Sequence, residues 1–160
     1  MTDALHHLTI AEASSLIEQQ ELSPVALTEA FLGRIESVDP KLNAFVTVTG
    51  ERALDDARTT EQESAAGGYR GPLHGIPIAL KDIYGTAGIR TTSQSHLHVD
   101  RIPDHDSRTA ALLRAAGTVM LGKLPTHEFA IGGHTRDCLL SPSHAADEKR
   151  GVDLGGRRDN

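Results

Sequence analysis

Within Gly71–Thr92, GPLHGIPIALKDIYGTAGIRTT, one lysine closes an apolar run: Lys81 follows Ile76, Ile78, Ala79 and Leu80. A lysine at a strand end ordinarily lays its stem along apolar surface and keeps its ammonium in water. Three features of this stretch point elsewhere. The nearly continuous apolar run reads as a strand covered on both faces. Gly71, Gly75, Gly85 and Gly88 surround it, and glycine permits close backbone approach or positive φ. Asp82 and then a turn follow at once, where α/β folds place their sites. Desolvation there disfavours the ammonium form, and a neutral amine serves as a general base. Lys81 is therefore the candidate catalytic residue, with Asp82, Gly85 and Thr91 expected to support the strand and turn around it.

Other reactive side chains form weaker patterns. His96 and His98 would share one face of a strand, with His105 close behind, but the spacing matches no zinc pattern and no cysteine or carboxylate set completes a site. His127-Glu128 with His134 lacks the HExxH spacing. Cys138 is the single cysteine, so no intrachain disulfide forms, and nothing beside it would lower its pKa. The glycines of GTAG lack the spacing of a phosphate loop. Ser141 and Ser143, in SPSH, sit in no glycine-rich loop that would make either a nucleophile. Neither a metal nor a cofactor is expected.

The elements that must position Lys81 alternate in type. Thr9 to Glu12 has capping-box spacing, and Ile10, Ala13, Leu16 and Ile17 follow on one helical face. Ser23-Pro24 opens a second helix, with serine at N-cap and proline at N1. It is expected to stop before Pro40, because the residue preceding a proline disfavours helix. AFVTV, residues 44–48, reads as a short strand, and 51–65 as a polar surface helix ended by Gly67-Gly68. Strands are expected at 76–81 and 118–122, with a helix at 109–116 between them, capped by Asp106-Ser107 and closed by Gly117 at C′. THEFAIGG, residues 126–133, leads into a loop. The alternation predicts an α/β class with a mixed or parallel sheet flanked by helices.

Composition bounds the rest. A chain of 160 residues fits one domain, and 3% aromatics means a core of Ala, Leu, Ile and Val. A net charge of −6 argues against direct binding of nucleic acid. The start MTDALHHLTIAEA lacks the basic and apolar regions of a signal peptide, and no apolar run is long enough to span a bilayer, so the cytoplasm is the expected location with no membrane partner. From His134 onward the chain carries ten charged residues, no aromatic and no sustained period, which suggests a disordered tail over 134–160 after a region spanning 1–133.

The stretch GPLHGIPIALKDIYGTAGIRTTSQS resembles the amidase signature family, whose common form is GPLxGIPIxxKD, then a TxG turn and TTxGS. Residues 111–133, ALLRAAGTVMLGKLPTHEFAIGG, resemble its continuation, with a GK-x-x-x-x-EFA segment. The likeness covers about residues 8 to 133 and implies the N-terminal part of the amidase-signature fold, truncated. It further implies a Ser–cis-Ser–Lys triad without metal or cofactor, in which a serine attacks an amide carbonyl and a second serine relays its proton to a neutral lysine. That lysine falls on Lys81. The implied partner is a small-molecule amide, and the resemblance leaves room for a homo-oligomer.

The family's serine segment, of the type GGSSGGSA, has no counterpart here; at about the expected distance the chain reads Gly155-Gly156-Arg157-Arg158. Residues 153–159, DLGGRRD, can be encoded so that a shifted frame spells PGGSSG, which suggests a frameshift between codons 133 and 153. Three readings result: an amidase whose chain, as it stands, is truncated and inactive; the amidase subunit of a tRNA-dependent amidotransferase, from whose usual TTCGS form TTSQS departs; and a non-catalytic fragment.

Overall fold

The computed structural model describes residues 2–131. Helix α1, Ile10–Glu18, starts where the capping box predicts: Thr9 Oγ1 accepts from the Glu12 amide at 3.2 Å, and Glu12 Oε2 accepts from the Thr9 amide at 2.8 Å. Helix α2, Pro24–Leu42, is capped by Ser23. It runs through Pro40 instead of stopping before it. Proline removes one N–H there, and the helix ends two residues later with Asn43 left-handed at φ 49°. The Asn43 amide donates to Asp39 O at 2.7 Å, and Asp39 Oδ1 takes the Ala44 amide at 2.6 Å. The bias against helix at Asp39 is thus overcome by a side chain that closes the turn.

Strand β1 is only Thr47–Val48; it is followed by helix α3, Gly50–Ala65, strand β2, Pro77–Lys81, helix α4, Arg108–Ala115, and strand β3, Val119–Leu124. His96–His98, expected in a strand, is one 3-10 turn capped by the Ser95 hydroxyl. Helix α3, expected to be a surface helix, buries Ala53 and Ala57 completely. Small side chains let its axis lie close against β3, whose Val119 and Leu121 share one cluster with them.

The sheet is mixed, with order β1-β3-β2: β1 antiparallel and β2 parallel to the central β3. Alternation along β3 sends Val119 and Leu121 to the α2–α3 side, and Met120 to the other, with Leu80, Ile89 and Ala110. A bulge then breaks the period. Ile78 pairs with Met120, but Ala79 pairs with Gly122 and Leu80 with Lys123, so Leu121 is the extra residue. The shift turns Lys123 to the side of Leu80, where strict alternation from Met120 would have sent it toward α3. Only glycine fits at position 122: its φ is 157°, and a Cβ there would lie 2.1 Å from Thr47 O on β1.

β2 is a sheet edge among the described residues, and its run is only partly covered, not buried on both faces as expected. Ile76 and Leu80 are buried, while Pro77, Ile78 and Ala79 are partly open. A third cluster packs α1 on α2, with Ile17 and Leu27 each 1% exposed beside Ala13, Leu22 and Ile76.

Candidate active site

Strands β2 and β3 run parallel, so their C-terminal ends meet at one rim of the sheet, and both lysines stand there. Lys81, at the end of β2, is exposed; its Nζ donates to Pro125 O at 2.8 Å. The burial expected of it belongs to Lys123, whose side chain is fully enclosed. The reason is topological. Lys81 pairs with Leu124 on an edge strand, whereas Lys123 lies on the central strand and faces the turn that follows Lys81.

Lys123 spends all three ammonium protons: on Tyr84 O, on Thr86 Oγ1 at 3.3 Å and on Thr91 Oγ1 at 3.1 Å. Asp82 Oδ1 lies 3.8 Å from Nζ and accepts no hydrogen bond. Asp82 Oδ2 takes the Thr92 amide at 2.9 Å and the Thr92 hydroxyl at 2.5 Å. Burial pushes the Lys123 amine below the ordinary lysine value, the Asp82 carboxylate opposes that, and Arg101 adds to it.

A desolvated lysine on two hydroxyls has the composition of an activated nucleophile. Here both hydroxyls are spent, Thr86 Oγ1 donating to Tyr84 O and Thr91 Oγ1 to Ile89 O, each at 3.1 Å. Thr86 is 2% exposed and Thr91 0%, so no substrate reaches either. The Lys123 cluster is a strut, and Lys81 is the lysine that solvent meets.

The loops beyond the strut are strained. Ser93 and Gln94 have φ of 55° and 52°, and Phe129 and Ala130 of 49° and 58°. The two pairs are tied together, the Phe129 amide donating to Ser93 O at 2.9 Å and the Ser95 hydroxyl to Glu128 Oε1 at 2.8 Å. The Ser93 amide in turn donates to Asp82 O at 2.9 Å. Non-glycine residues hold such angles only where their surroundings over-determine them, and such places cluster at functional sites.

The family model described as Amidase matches residues 26–156, most of the chain. The protein belongs to the amidase family. The A subunit of the glutamyl-tRNA(Gln) amidotransferase from Geobacter metallireducens is 45% identical over 139 residues, 87% of this chain and 28% of that protein. The native peptide amidase from Stenotrophomonas maltophilia superposes with a TM-score of 0.74 at 34% identity, over 79% of this chain and 26% of its own. A protein from a vestigial complex that bears on the origin of an s-triazine catabolic enzyme gives a TM-score of 0.78 at 30% identity, over 84% and 30%. The chain thus spans under a third of these relatives' lengths, and its α/β fold is the corresponding part of the amidase fold.

Of the other residues singled out in sequence, the structure joins Asp82 and Thr91 through Lys123, while Gly85 O takes the Ser107 amide that opens α4 at 2.8 Å. The histidines do not converge: His98 packs edge-on against Phe129, and His105 pairs with Asp104. Among the described residues no group of three His, Cys, Asp or Glu could hold a metal, and no helix is long and apolar enough to cross a membrane. Cys138, Ser141, Ser143 and the shifted-frame segment lie outside the described residues. The sequence signal of Lys123 is that it interrupts the apolar run TVMLGKL, as Lys81 ends IPIAL.

Proposed function

We propose that this chain supplies the lysine base of a carboxamide-hydrolysing site, with Lys81 in that role. The observation that carries it is an accessible lysine on the rim of the sheet, bracketed by a buried ion pair and two strained loops, in a chain of the amidase family. A serine hydroxyl from outside residues 2–131 attacks the amide carbonyl. The exposed Lys81 ammonium first gives a proton to solvent, and the serine's proton then passes through a second serine to the amine so formed. The C–N bond breaks as that proton moves on to the departing nitrogen, and water then splits the acyl ester to the acid.

The test is ammonia release from a panel of primary carboxamides by the product of the locus, resequenced through codons 130–160, against its Lys81→Met variant. Loss of about 10²- to 10⁴-fold is expected for removal of a general base. Equal release by both proteins removes Lys81 from the mechanism. No release from either, and no labelling by a serine-directed fluorophosphonate, leaves the non-catalytic reading.

The curated relatives favour a second reading, in which the amide is that of glutamine and the chain works as the A subunit of an amidotransferase. Co-purification of further subunits, with ammonia formed from glutamine in preference to other amides, selects it.

A further inference from the structure

Lys123 touches no solvent and no reachable hydroxyl, yet it stands where the structure around Lys81 converges. Its ammonium fastens the turn after Lys81 at Tyr84, Thr86 and Thr91. Two residues further along its own chain, Pro125 presents the carbonyl that holds the Lys81 ammonium at 2.8 Å. Between these points the Asp82 amide donates to Leu124 O at 2.8 Å. Residues 81–92 and 123–125 are therefore laced together at successive positions, and Lys123 is the fully buried cation of that lacing. An alternative role as a base is closed by the spent hydroxyl protons.

We propose that Lys123 is a positioning residue for Lys81: by clamping the 82–91 turn to the end of β3, it fixes Pro125 O and with it the direction of the Lys81 amine. The proposal rests on the reading of Lys81 as the base, and it asks for more than stability. A strut that only stabilised the fold would leave Lys81 unchanged in any variant that still folds.

The experiment is competitive acetylation of the full chain with a trace of acetic anhydride, with each lysine quantified by mass spectrometry. Lys41, exposed on α2, is the internal reference. Lys123→Met frees the Lys81 amine from its fixed acceptor and raises the Lys81/Lys41 ratio by about three- to tenfold, the factor one hydrogen bond is worth. Thr91→Val, which removes one of the three acceptors, moves the ratio the same way by less and serves where Lys123→Met fails to fold. Lys123→Arg, which keeps the charge, restores part of the wild-type ratio. Leu27→Ala, a comparable loss in the remote α1–α2 cluster, leaves it unchanged. A ratio in Thr91→Val or Lys123→Met equal to that of the wild type, or one that Leu27→Ala shifts as much, overturns the clamp. No turnover is needed, so a failure to hydrolyse amides strikes the proposed function and leaves this result standing.

Discussion

The α1–α2 corner and the rim that carries the two lysines are held together in opposite ways. At the corner, Ile17, Leu22, Leu27 and Ile76 meet as plain hydrocarbon, and the exposed polar ends of the helices are closed by Thr9 and Ser23. Each contact there is replaceable by another of similar volume. At the rim, the fully buried groups are a lysine, an aspartate and threonines, and the adjoining backbone sits in left-handed angles at four non-glycine residues. Low local dielectric makes each of those bonds strong and each missing partner expensive. The contrast separates two tasks: the corner supplies stability that tolerates variation, and the rim gives up some of that tolerance to hold two loops in one geometry.

That contrast is open to direct attack. Lys123→Met leaves Asp82 buried and uncompensated, and should lower stability by about 3–5 kcal/mol, with Asp82→Asn in the same chain returning part of it. Urea denaturation measures both, and a loss no greater than that of an exposed site would mean that packing alone holds the rim. Leu27→Ala, 1% exposed at the corner, should cost about 2–5 kcal/mol through lost burial and the cavity left behind. No companion substitution of a charged residue should relieve it, which sets it apart from the lysine.

Thr9→Ala, by loss of the cap, should cost about 0.5–2 kcal/mol. It should also change the acid limb of the stability curve. The Thr9 amide and hydroxyl hold the Glu12 carboxyl below its ordinary value, so the stabilisation is present above the ordinary value and lost as pH falls through the lowered one. The residue 9 amide persists in the variant, so a curve that keeps the wild-type shape there would remove only the Thr9 hydroxyl from the account. Smallest of all, Lys81→Met should shift stability by no more than about 0.5 kcal/mol, as at other exposed positions. A large loss would place Lys81 in the strut beside Lys123.

The parts of the fold legible in sequence are those fixed by local chemistry. Thr9, Ser23 and Ser107 announce three helix starts, and Gly117 a helix end, because capping is decided within a few residues. Pro40 misled, since the restriction on Asp39 is a bias that the Asp39 side chain outweighs by taking the Ala44 amide. Lys81 misled for a different reason: an apolar run looks the same whether one of its faces is covered or both, and what covers a face is a property of the whole fold. Lys123 lies in a comparable run, but the face it takes is set by the bulge, which no local pattern discloses. The left-handed angles at Ser93, Gln94, Phe129 and Ala130 were equally hidden, because none of these residues is the glycine that signals them.

The bulge at Leu121 also bears on which changes of length this gene can carry. An in-frame loss of the codon for Leu121 would bring Met120 next to Gly122, and the ladder with β2 would become even. Met120 would still face Ile78 and Lys123 would still face Leu80, so neither would change sides. What goes is the Leu121 side chain against Ala53 and Ala57, and the carbonyl that takes the Thr49 amide at 2.9 Å. Strand β2 has no spare residue. Loss of the codon for Ala79 would set Leu80 against Gly122 and Lys81 against Lys123, exchanging the faces of the two residues that end the strand. One missing codon in β2 therefore turns the exposed lysine inward, beside a second buried cation, while one missing codon at the bulge turns nothing. Purifying selection on length should accordingly be strictest within 77–81 and more relaxed at residue 121.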